Sequence, residues 1–421
     1  MFNYCLNTKI FVLTSAMVAL LVLTTVIQIP ASYAQMVKTK VNILTSAGLN
    51  PEIAASGNNV FVVWHSLASD GGDDIFFKAS TDNGVSFGGT VLLGHVGPGQ
   101  VIIPQPKIAA SGNNILVVWH NSGEIYGRKS VDAGARFIPG LKDPPLNLSN
   151  NPAYSSMPDL AVYEQRSHGI STIWWYLAWN DEATVGNNDI TFKVFNNSGR
   201  GSSFNLSLGL TVGPARTHAV DGLSFPQVAA ADGKVYVAWP IDAGNAYMVL
   251  KKSANYLGST FPFTNTITLD THFPVVNSLL LDVAGSNVYA VWEIISGSPS
   301  QLDIFFKRSP DWGVSFEPTK NLSNDPKDSS DPYMAASSNV VDVVWTQTLG
   351  NGIDEDIYED ASRTWGSSFL APTSTPSISP TATESAVAKV PGCYYLVWRP
   401  LDGSLLFQGY CVVSPYKFPL R

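Results

Sequence analysis

A tryptophan at the end of a β-rich run recurs seven times and sets the spacing of the structural units along this chain. The positions are Trp64, Trp119, Trp179, Trp239, Trp292, Trp345 and Trp398. Successive gaps are 55, 60, 60, 53, 53 and 53 residues. A repeat of this length is typical of stacked or circular arrays of small sheets, in which each unit covers its neighbours. The spacing therefore predicts seven homologous units rather than one undivided core.

Each unit has the pattern of a four-stranded antiparallel meander. In the first unit, two short apolar runs at 51–55 and 60–64 flank a Gly-Asn turn, which is typical of a hairpin. Their hydrophobicity is continuous rather than alternating, so both faces of the sheet are expected to be covered. A third strand begins at Asp74, and a weaker fourth strand follows. The neighbouring units must supply the cover.

A second motif, Ser-x-Asp-x-Gly-x-x-Phe, occurs three times in phase with the tryptophan. The copies contain Asp82, Gly84 and Phe87; Asp132, Gly134 and Phe137; and Asp311, Gly313 and Phe316. This motif resembles the Asp-box, or BNR repeat, of sialidase-like β-propellers. The resemblance implies turns between the third and fourth strands, on the face opposite the usual site. Their role is expected to be structural, because the carboxylate accepts backbone N–H bonds and glycine permits positive φ.

The two ends of the chain are expected to share one blade. The seventh unit has a third strand near 404–412 but no fourth strand, whereas residues 41–45 have an outer-strand pattern without a unit of their own. Pairing the two segments closes the ring and removes an open edge. The fold class is therefore all-β, a seven-bladed propeller closed by the N-terminal strand. A six-bladed ring, as in the sialidases it resembles, is the alternative.

The N-terminal segment, residues 1–34, has the pattern of a signal peptide. An apolar stretch at 10–29 follows Lys9 and precedes small residues that end at Ala34. An uncleaved membrane anchor is the alternative, because about twenty apolar residues are long enough to span a bilayer. In either case residues 35–421 form a single propeller domain that is expected to be secreted or to lie at the cell surface.

Two cysteines remain outside that segment, Cys393 and Cys411. If the runs that carry them form a hairpin about Asp402, the cysteines lie opposite each other and are expected to form a disulfide in an oxidising compartment. Two buried free thiols are the alternative.

The net charge of −8 argues against a nucleic-acid partner, because the chain offers no basic stripe to replace phosphate counterions. We expect neither nucleic-acid binding nor membrane insertion of the propeller. Asn-x-Ser sequons at Asn147, Asn196, Asn205 and Asn321 are candidate glycosylation sites on an exported chain.

The residue after each tryptophan begins a loop on the face where propellers of the resembling family hold their ligands. From these positions and the loops between blades, we select seven candidate ligand-binding residues. They are His65, His120, Asn180, Glu293, Arg399, Arg216 and His218.

The resemblance implies that an active sialidase needs three arginines around the substrate carboxylate, a Tyr/Glu pair and a general acid. Of the arginines, only Arg216 and Arg399 lie away from the structural turns and the C-terminus. The Arg-Ile-Pro motif that the sialidase family carries near its start is missing after the signal segment. Sialidase activity is therefore not expected. Weak catalytic candidates for another glycoside hydrolysis are Glu293, Asp303, Asp354 and Asp356.

No metal site is assigned from the sequence. His65 and His120 occupy equivalent positions, which favours a shared structural role over metal ligation. Calcium at 354–356 is an alternative that lacks the ligand spacing of a known loop.

The sequence thus predicts a monomeric, exported binding module for a glycan or an extracellular protein, without a cofactor. A sialidase-like glycoside hydrolase with another specificity is the second interpretation. A structural envelope component is the third.

Overall fold

The computed structural model describes most of the chain beyond residue 34. The described residues are 35–100, 102–184, 187–197, 201–205, 226–242, 246–253, 263–264, 266–273, 276–296, 301–324, 326–337, 339–348, 355–370, 372–374 and 382–413. The elements within these ranges are 29 β-strands. None of the described residues belongs to a helix that could cross a membrane. The predicted signal segment 1–34 lies outside the described residues.

The strands form seven antiparallel sheets, each a meander in sequence order. The first blade contains β3 (Leu49–Ser56), β4 (Asn59–Leu67), β5 (Asp73–Ser80) and β6 (Val91–Val96). The second contains β7 (Lys107–Ser111), β8 (Asn114–Asn121), β9 (Glu124–Ser130) and β10 (Leu146–Asn147). The third contains β11 (Tyr154–Ser167), β12 (Ile170–Thr184), β13 (Asn187–Asn196) and β14 (Gly201–Asn205). The fourth contains β15 (Gln227–Ala231), β16 (Lys234–Asp242), β17 (Ala246–Lys252) and β18 (Ile267–Phe273).

The remaining three blades follow the same plan. The fifth contains β19 (Val276–Ala284), β20 (Asn287–Ser296), β21 (Gln301–Ser309) and β22 (Lys320–Asn321). The sixth contains β23 (Ser329–Ser337), β24 (Val340–Thr348), β25 (Glu355–Ser362) and β26 (Thr373–Ser374). The seventh contains β27 (Ala382–Val390), β28 (Cys393–Pro400) and β29 (Leu405–Val413), together with β1 (Gln35–Lys38) and β2 (Asn42–Thr45).

The seventh blade joins the two ends of the chain. Asn42 pairs with Phe407 and Ile43 with Leu406, so β2 completes the sheet that begins near the C-terminus. The first strands of all seven blades contact one another in a closed circle, with β27 beside β3. The predicted seven-bladed ring and its closure by the N-terminal strand are confirmed, and the six-bladed alternative is wrong. Residues 38–411 form the unit that holds the ring, and the described ends at 35–37 and 412–413 belong to a second, small unit.

The seven repeated tryptophans form the centre of the packing between blades. Each is at most 1 % exposed. One core cluster combines Phe61 and Phe77 of the first blade with Trp119 of the second, so a blade is covered by its neighbour rather than by its own strands. This explains why the strand pattern is continuously apolar.

The repeated Ser-x-Asp-x-Gly-x-x-Phe segments form the predicted turns after the third strands. The Asp82 carboxylate accepts a bond from the backbone N–H of Ser86 at 2.9 Å, and the Ser80 hydroxyl accepts one from Gly84 at 2.9 Å. Gly134 has φ of +86°, and a Cβ there would lie 2.5 Å from the ring of Phe77 in the preceding blade. A degenerate copy of the motif at 362–369 has Thr364 in place of the aspartate, and the Thr364 hydroxyl accepts a bond from the backbone N–H of Ser368 at 3.0 Å.

The boundary between the sixth and seventh blades replaces an aromatic pair by charged groups. The first, third, fifth and seventh blades place two rings at the equivalent positions, such as Phe61 and Phe77 with centroids 6.1 Å apart. In the sixth blade the equivalent positions are Asp342 and Glu359, as the register about Trp345 shows. Lys389 of the seventh blade forms an ion pair with Asp342. The seventh blade has no turn motif whose phenylalanine would need the aromatic partner.

A disulfide joins Cys393 of β28 to Cys411 of β29, and the two residues are directly opposite in the register. The predicted disulfide is therefore present.

Candidate functional site

A cavity of about 320 Å³ lies where the first strands of the blades surround the ring axis. Six of the seven blades contribute to its wall. The lining residues are Asn50, Glu52, Gln105, Pro106, Lys107, Met157, Pro158, Pro226, Gln227, Ser278, Leu279, Leu280, Asp331, Pro332 and Tyr333. Leu49 pairs with His65 at this end of the blade, whereas Val60 pairs with Ser80 at the other. The cavity therefore opens on the predicted ligand face, opposite the Ser-x-Asp turns.

The rim of the cavity is built from one repeated backbone irregularity. Five equivalent non-glycine residues at the starts of first strands have φ between +42° and +51°, and they are Asn50, Gln105, Met157, Asp331 and Glu384. In the first, third, sixth and seventh blades the strand register shifts beside this residue, as at a β-bulge. Bulges redirect side chains, and left-handed backbone at non-glycine residues is concentrated at functional sites.

The residue two positions after each rim residue faces its equivalents in the neighbouring blades. Glu52 and Lys107 form an ion pair across the boundary between the first two blades. Burial lowers the pKa of Lys107, but the attraction of Glu52 together with that of the other nearby acidic groups outweighs burial, and the net shift of the pKa is upward. In the third blade Asp159 accepts a bond from the backbone N–H of Val228 at 2.7 Å. Burial raises the pKa of Asp159 to about 6, although Lys107 opposes the shift.

His65 and Arg399, two of the predicted ligand-binding residues, belong to a network that fixes the rim. His65 is buried, with Nδ1 2.8 Å from Asp73 Oδ1 and Nε2 2.9 Å from Asn50 Oδ1. The backbone N–H of Asn50 donates to Glu384 at 2.8 Å, and Glu384 accepts a bond from Arg399 at 3.3 Å. These contacts connect the seventh blade to the first and hold two rim residues in place.

Glu293 supports the rim in a similar way at the boundary between the fifth and sixth blades. Its carboxylate is buried and accepts a bond from the backbone N–H of Asp331 at 2.9 Å. Glu293 and Glu384 thus each hold the rim residue of the following blade. The structure places the Glu293 carboxylate at the rim as a support of the backbone.

Asp303, a weak catalytic candidate, makes its hydrogen bonds to side chains of the same blade. Its carboxylate accepts bonds from the side chains of Gln301, Asn321 and Ser323, each at 3.0 Å. Ser323 also accepts the backbone N–H of Ile304 at 3.0 Å. These bonds attach the outer strand to the third strand, and they account for the repeated Asn-Leu-Ser sequence.

The other predicted site residues are separate from the cavity wall or outside the described residues. His120 is fully buried, and burial lowers its pKa to about 4. Asn180 is also fully buried. The side chain of Asp356 and all of Asp354, Arg216 and His218 lie outside the described residues.

Among the residues that the structure describes, no group of three or more His, Cys, Asp or Glu side chains is arranged to hold a metal ion. The calcium alternative at 354–356 lies largely outside them.

Sequence reasoning missed the residues that line the cavity, above all Gln105, Lys107 and Tyr333. A signal for them exists in the repeat. The prolines at 51, 106, 158, 226 and 332 mark the starts of first strands, and the residue after each proline is polar and differs from blade to blade. Variable polar positions within an invariant apolar framework are typical of a binding surface.

The sequence matches no protein-family model and no curated protein. Solved structures resemble the fold. An ulvan lyase of polysaccharide lyase family PL25, bound to -[GlcA(1-4)Rha3S]-, has a TM-score of 0.51 and 10 % identity over 88 % of this chain and 94 % of that one. Polysaccharide lyase Uly1 has a TM-score of 0.50 and 10 % identity over 86 % and 90 %. The Hadza microbial sialidase Hz136 has a TM-score of 0.45 and 11 % identity over 86 % and 65 %. At these identities the likeness shows the propeller fold alone.

Proposed function

We propose that this protein is a glycan-binding β-propeller that holds a saccharide at the central cavity. The observation that carries the proposal is the cavity itself, whose wall combines strained rim residues with uncharged polar groups from several blades. Its volume of about 320 Å³ lies within the range of small-ligand pockets, roughly 300–1,000 Å³. Two polysaccharide lyases with a similar fold add support for a carbohydrate ligand.

The chemistry of the wall suits a sugar. A saccharide presents hydroxyl groups at its edges and apolar C–H groups on its ring faces. Gln105 offers an amide that donates and accepts, and within the described part of the chain its side chain has no hydrogen bond. Tyr333 offers an aromatic ring with a polar hydroxyl, and Pro106 and Pro332 add apolar surface.

The carboxylates near the cavity favour binding over hydrolysis. A glycosidase needs two carboxyl groups that flank the scissile bond, one protonated and one charged. Glu52 is neutralised by Lys107, Glu293 is bonded to the rim backbone, and Asp303 is bonded within its blade. These groups are already engaged in holding the scaffold.

A glycan-cleaving enzyme is the second candidate, and one observation favours it. Asp331 is exposed at the rim, but desolvation by the surrounding cavity wall, which it shares with Glu52, raises its pKa. A carboxyl group with a raised pKa is a candidate general acid.

The proposal also includes export of the protein from the cytoplasm and its membership of the Asp-box propeller family. The signal-peptide pattern of residues 1–34 and the disulfide of the seventh blade support an extracytoplasmic location. The three Ser-x-Asp-x-Gly-x-x-Phe turns support membership of the Asp-box propellers. We further propose a monomer, since each blade is covered by its neighbours within the ring.

The test is a glycan array followed by calorimetric titration of the best ligand with the full-length chain. Gln105→Gly removes the amide while suiting the left-handed backbone of that position, and Tyr333→Phe removes the hydroxyl. Each substitution is expected to weaken binding by about tenfold, the loss expected for one unmade hydrogen bond to a polar ligand. Arg136→Ala, on the opposite face, is the matched control and is expected to bind like the parent.

Absence of binding to every glycan, or equal loss in the Arg136→Ala control, would contradict the proposal. Mass spectrometry of the incubated oligosaccharide separates the two candidates. Shorter products that disappear in Asp331→Asn would establish the enzyme instead.

A further inference from the structure

The basic side chains near the cavity are already paired with acids of the protein. The Lys107 ammonium contacts the Glu52 carboxylate and is also attracted by Asp159. The Arg399 guanidinium lies 3.3 Å from the Glu384 carboxylate. The first pair connects the first two blades, and the second lies within the seventh blade, where Glu384 also accepts the backbone N–H of Asn50 from the first blade. Both cations therefore serve the scaffold of the rim.

Acidic groups outnumber these cations at the mouth. Asp331 is an exposed rim residue on the cavity wall, and among the described residues no basic side chain forms an ion pair with it. Its charge acts on the wall, because it contributes to raising the pKa of Tyr333, after the larger effects of burial and Glu52. A ligand entering the cavity therefore meets a negative field from the rim.

Recognition of a carboxylate or sulfate on a sugar needs a cation that is not already bound to an acid of the protein. The usual choice is an arginine that donates two parallel hydrogen bonds to the anion. An anionic ligand would here have to displace Glu52 from Lys107. That exchange would leave the Glu52 carboxylate unpaired in a largely buried position, which is strongly unfavourable. It would also bring the ligand's charge near Asp331, and like charges within one interface are repelled.

We infer that the central cavity accepts neutral saccharides and rejects those that carry carboxylate or sulfate groups. This inference rests on the proposed function. It sets the protein apart from the PL25 lyase of similar fold, whose bound oligosaccharide contains GlcA and Rha3S. The selectivity comes from repulsion by Asp331 and from the absence of an available cation on the described wall, while the amide and aromatic groups supply the attraction.

The test uses matched pairs of trisaccharides that differ only at C6. Glucose, galactose and mannose trisaccharides are titrated beside the glucuronate, galacturonate and mannuronate trisaccharides of the same linkage. The parent chain is expected to bind at least one neutral member about tenfold or more tightly than its acidic counterpart. Added salt is expected to narrow this ratio, because it screens repulsion from the rim.

Two variants test the origin of the selectivity. Asp331→Asn keeps the shape and tolerates the left-handed backbone, and it is expected to raise the affinity for the acidic member relative to that for its neutral counterpart severalfold. Glu52→Gln releases Lys107 and is expected to favour the acidic member further. Glu52→Gln also weakens the scaffold. If Glu52→Gln fails to fold, the result for Asp331→Asn alone tests the inference.

Tighter binding of the acidic members by the parent, or an unchanged ratio in Asp331→Asn, would overturn the inference and leave glycan binding standing. Failure of every glycan on the array to bind would overturn the proposed function and this inference with it.

Discussion

Glu52 of β3 and Lys107 of β7 form an ion pair that joins the first and second blades at the wall of the central cavity. Both side chains are largely buried, at 17 % and 23 % exposure. They occupy the same repeat position, directly after the proline at the start of each first strand. The pair therefore couples the stability of the ring to the electrostatics of the site.

The first prediction concerns this pair. Lys107→Met is expected to destabilise the protein by about 3 kcal/mol, because it leaves a partly buried carboxylate without its partner. The double variant Glu52→Gln/Lys107→Met is expected to be more stable than Lys107→Met alone. Urea denaturation of the two variants measures the difference, and equal midpoints would show that the pair is not coupled.

Closure of the ring is tested by two neighbouring residues of β2. Leu44 is 3 % exposed and packs with Trp64 and Leu405, whereas Ile43 is 70 % exposed. Leu44→Ala is expected to cost about 2–4 kcal/mol through the cavity that it leaves, and Ile43→Ala less than about 0.5 kcal/mol. Denaturant melts of both variants provide the comparison. Similar small effects would indicate that β2 contributes nothing to the blade.

The glycine of the repeated turn is required for two reasons. At Gly134 the backbone is left-handed and a Cβ would press against Phe77, whereas at Gly57 the backbone is left-handed and the space is open. Gly134→Ala is therefore expected to cost about 3 kcal/mol, and Gly57→Ala about 1 kcal/mol. Thermal unfolding of the two variants separates close packing from backbone strain, and an equal loss would remove the packing argument.

The boundary between the sixth and seventh blades is expected to be sensitive to pH. Burial, followed by repulsion from Asp342, raises the pKa of Glu359 from 4.5 to about 7. The fold thus favours the protonated group, and its stabilising effect is lost as pH rises from 4.5 through 7. The unfolding midpoint of the parent is expected to fall relative to Glu359→Gln between pH 5 and pH 8. Parallel curves for the two proteins would contradict the assignment.

The sequence predicts the ring well because the features that build it are local and repeated. Trp64 and its six counterparts, the Ser80–Phe87 turn and the strand at 41–45 are each recognisable within a few residues. The pairing of Cys393 with Cys411 follows from one hairpin register.

The site is harder to predict, because the rim depends on a bulge. The left-handed backbone at Asn50 and Gln105 redirects the side chains that follow, and an apolar periodicity does not reveal this change. The sequence predicts His65 and Arg399 as ligand-binding residues, and the structure shows them in contact with Asn50 and Glu384 of the rim, contacts that depend on how the strands and blades meet. It also offers Asp303 as a catalytic candidate, although the structure bonds that carboxylate to Asn321 and Ser323 of the outer strand.

The most direct test of the account is a crystal structure of the protein soaked with the neutral oligosaccharide that binds best. The account predicts density for a sugar in the central cavity, with a hydroxyl bonded to the Gln105 amide and a ring face against Tyr333. Density confined to the outer edges of the blades or to the face of the Ser-x-Asp turns would contradict it.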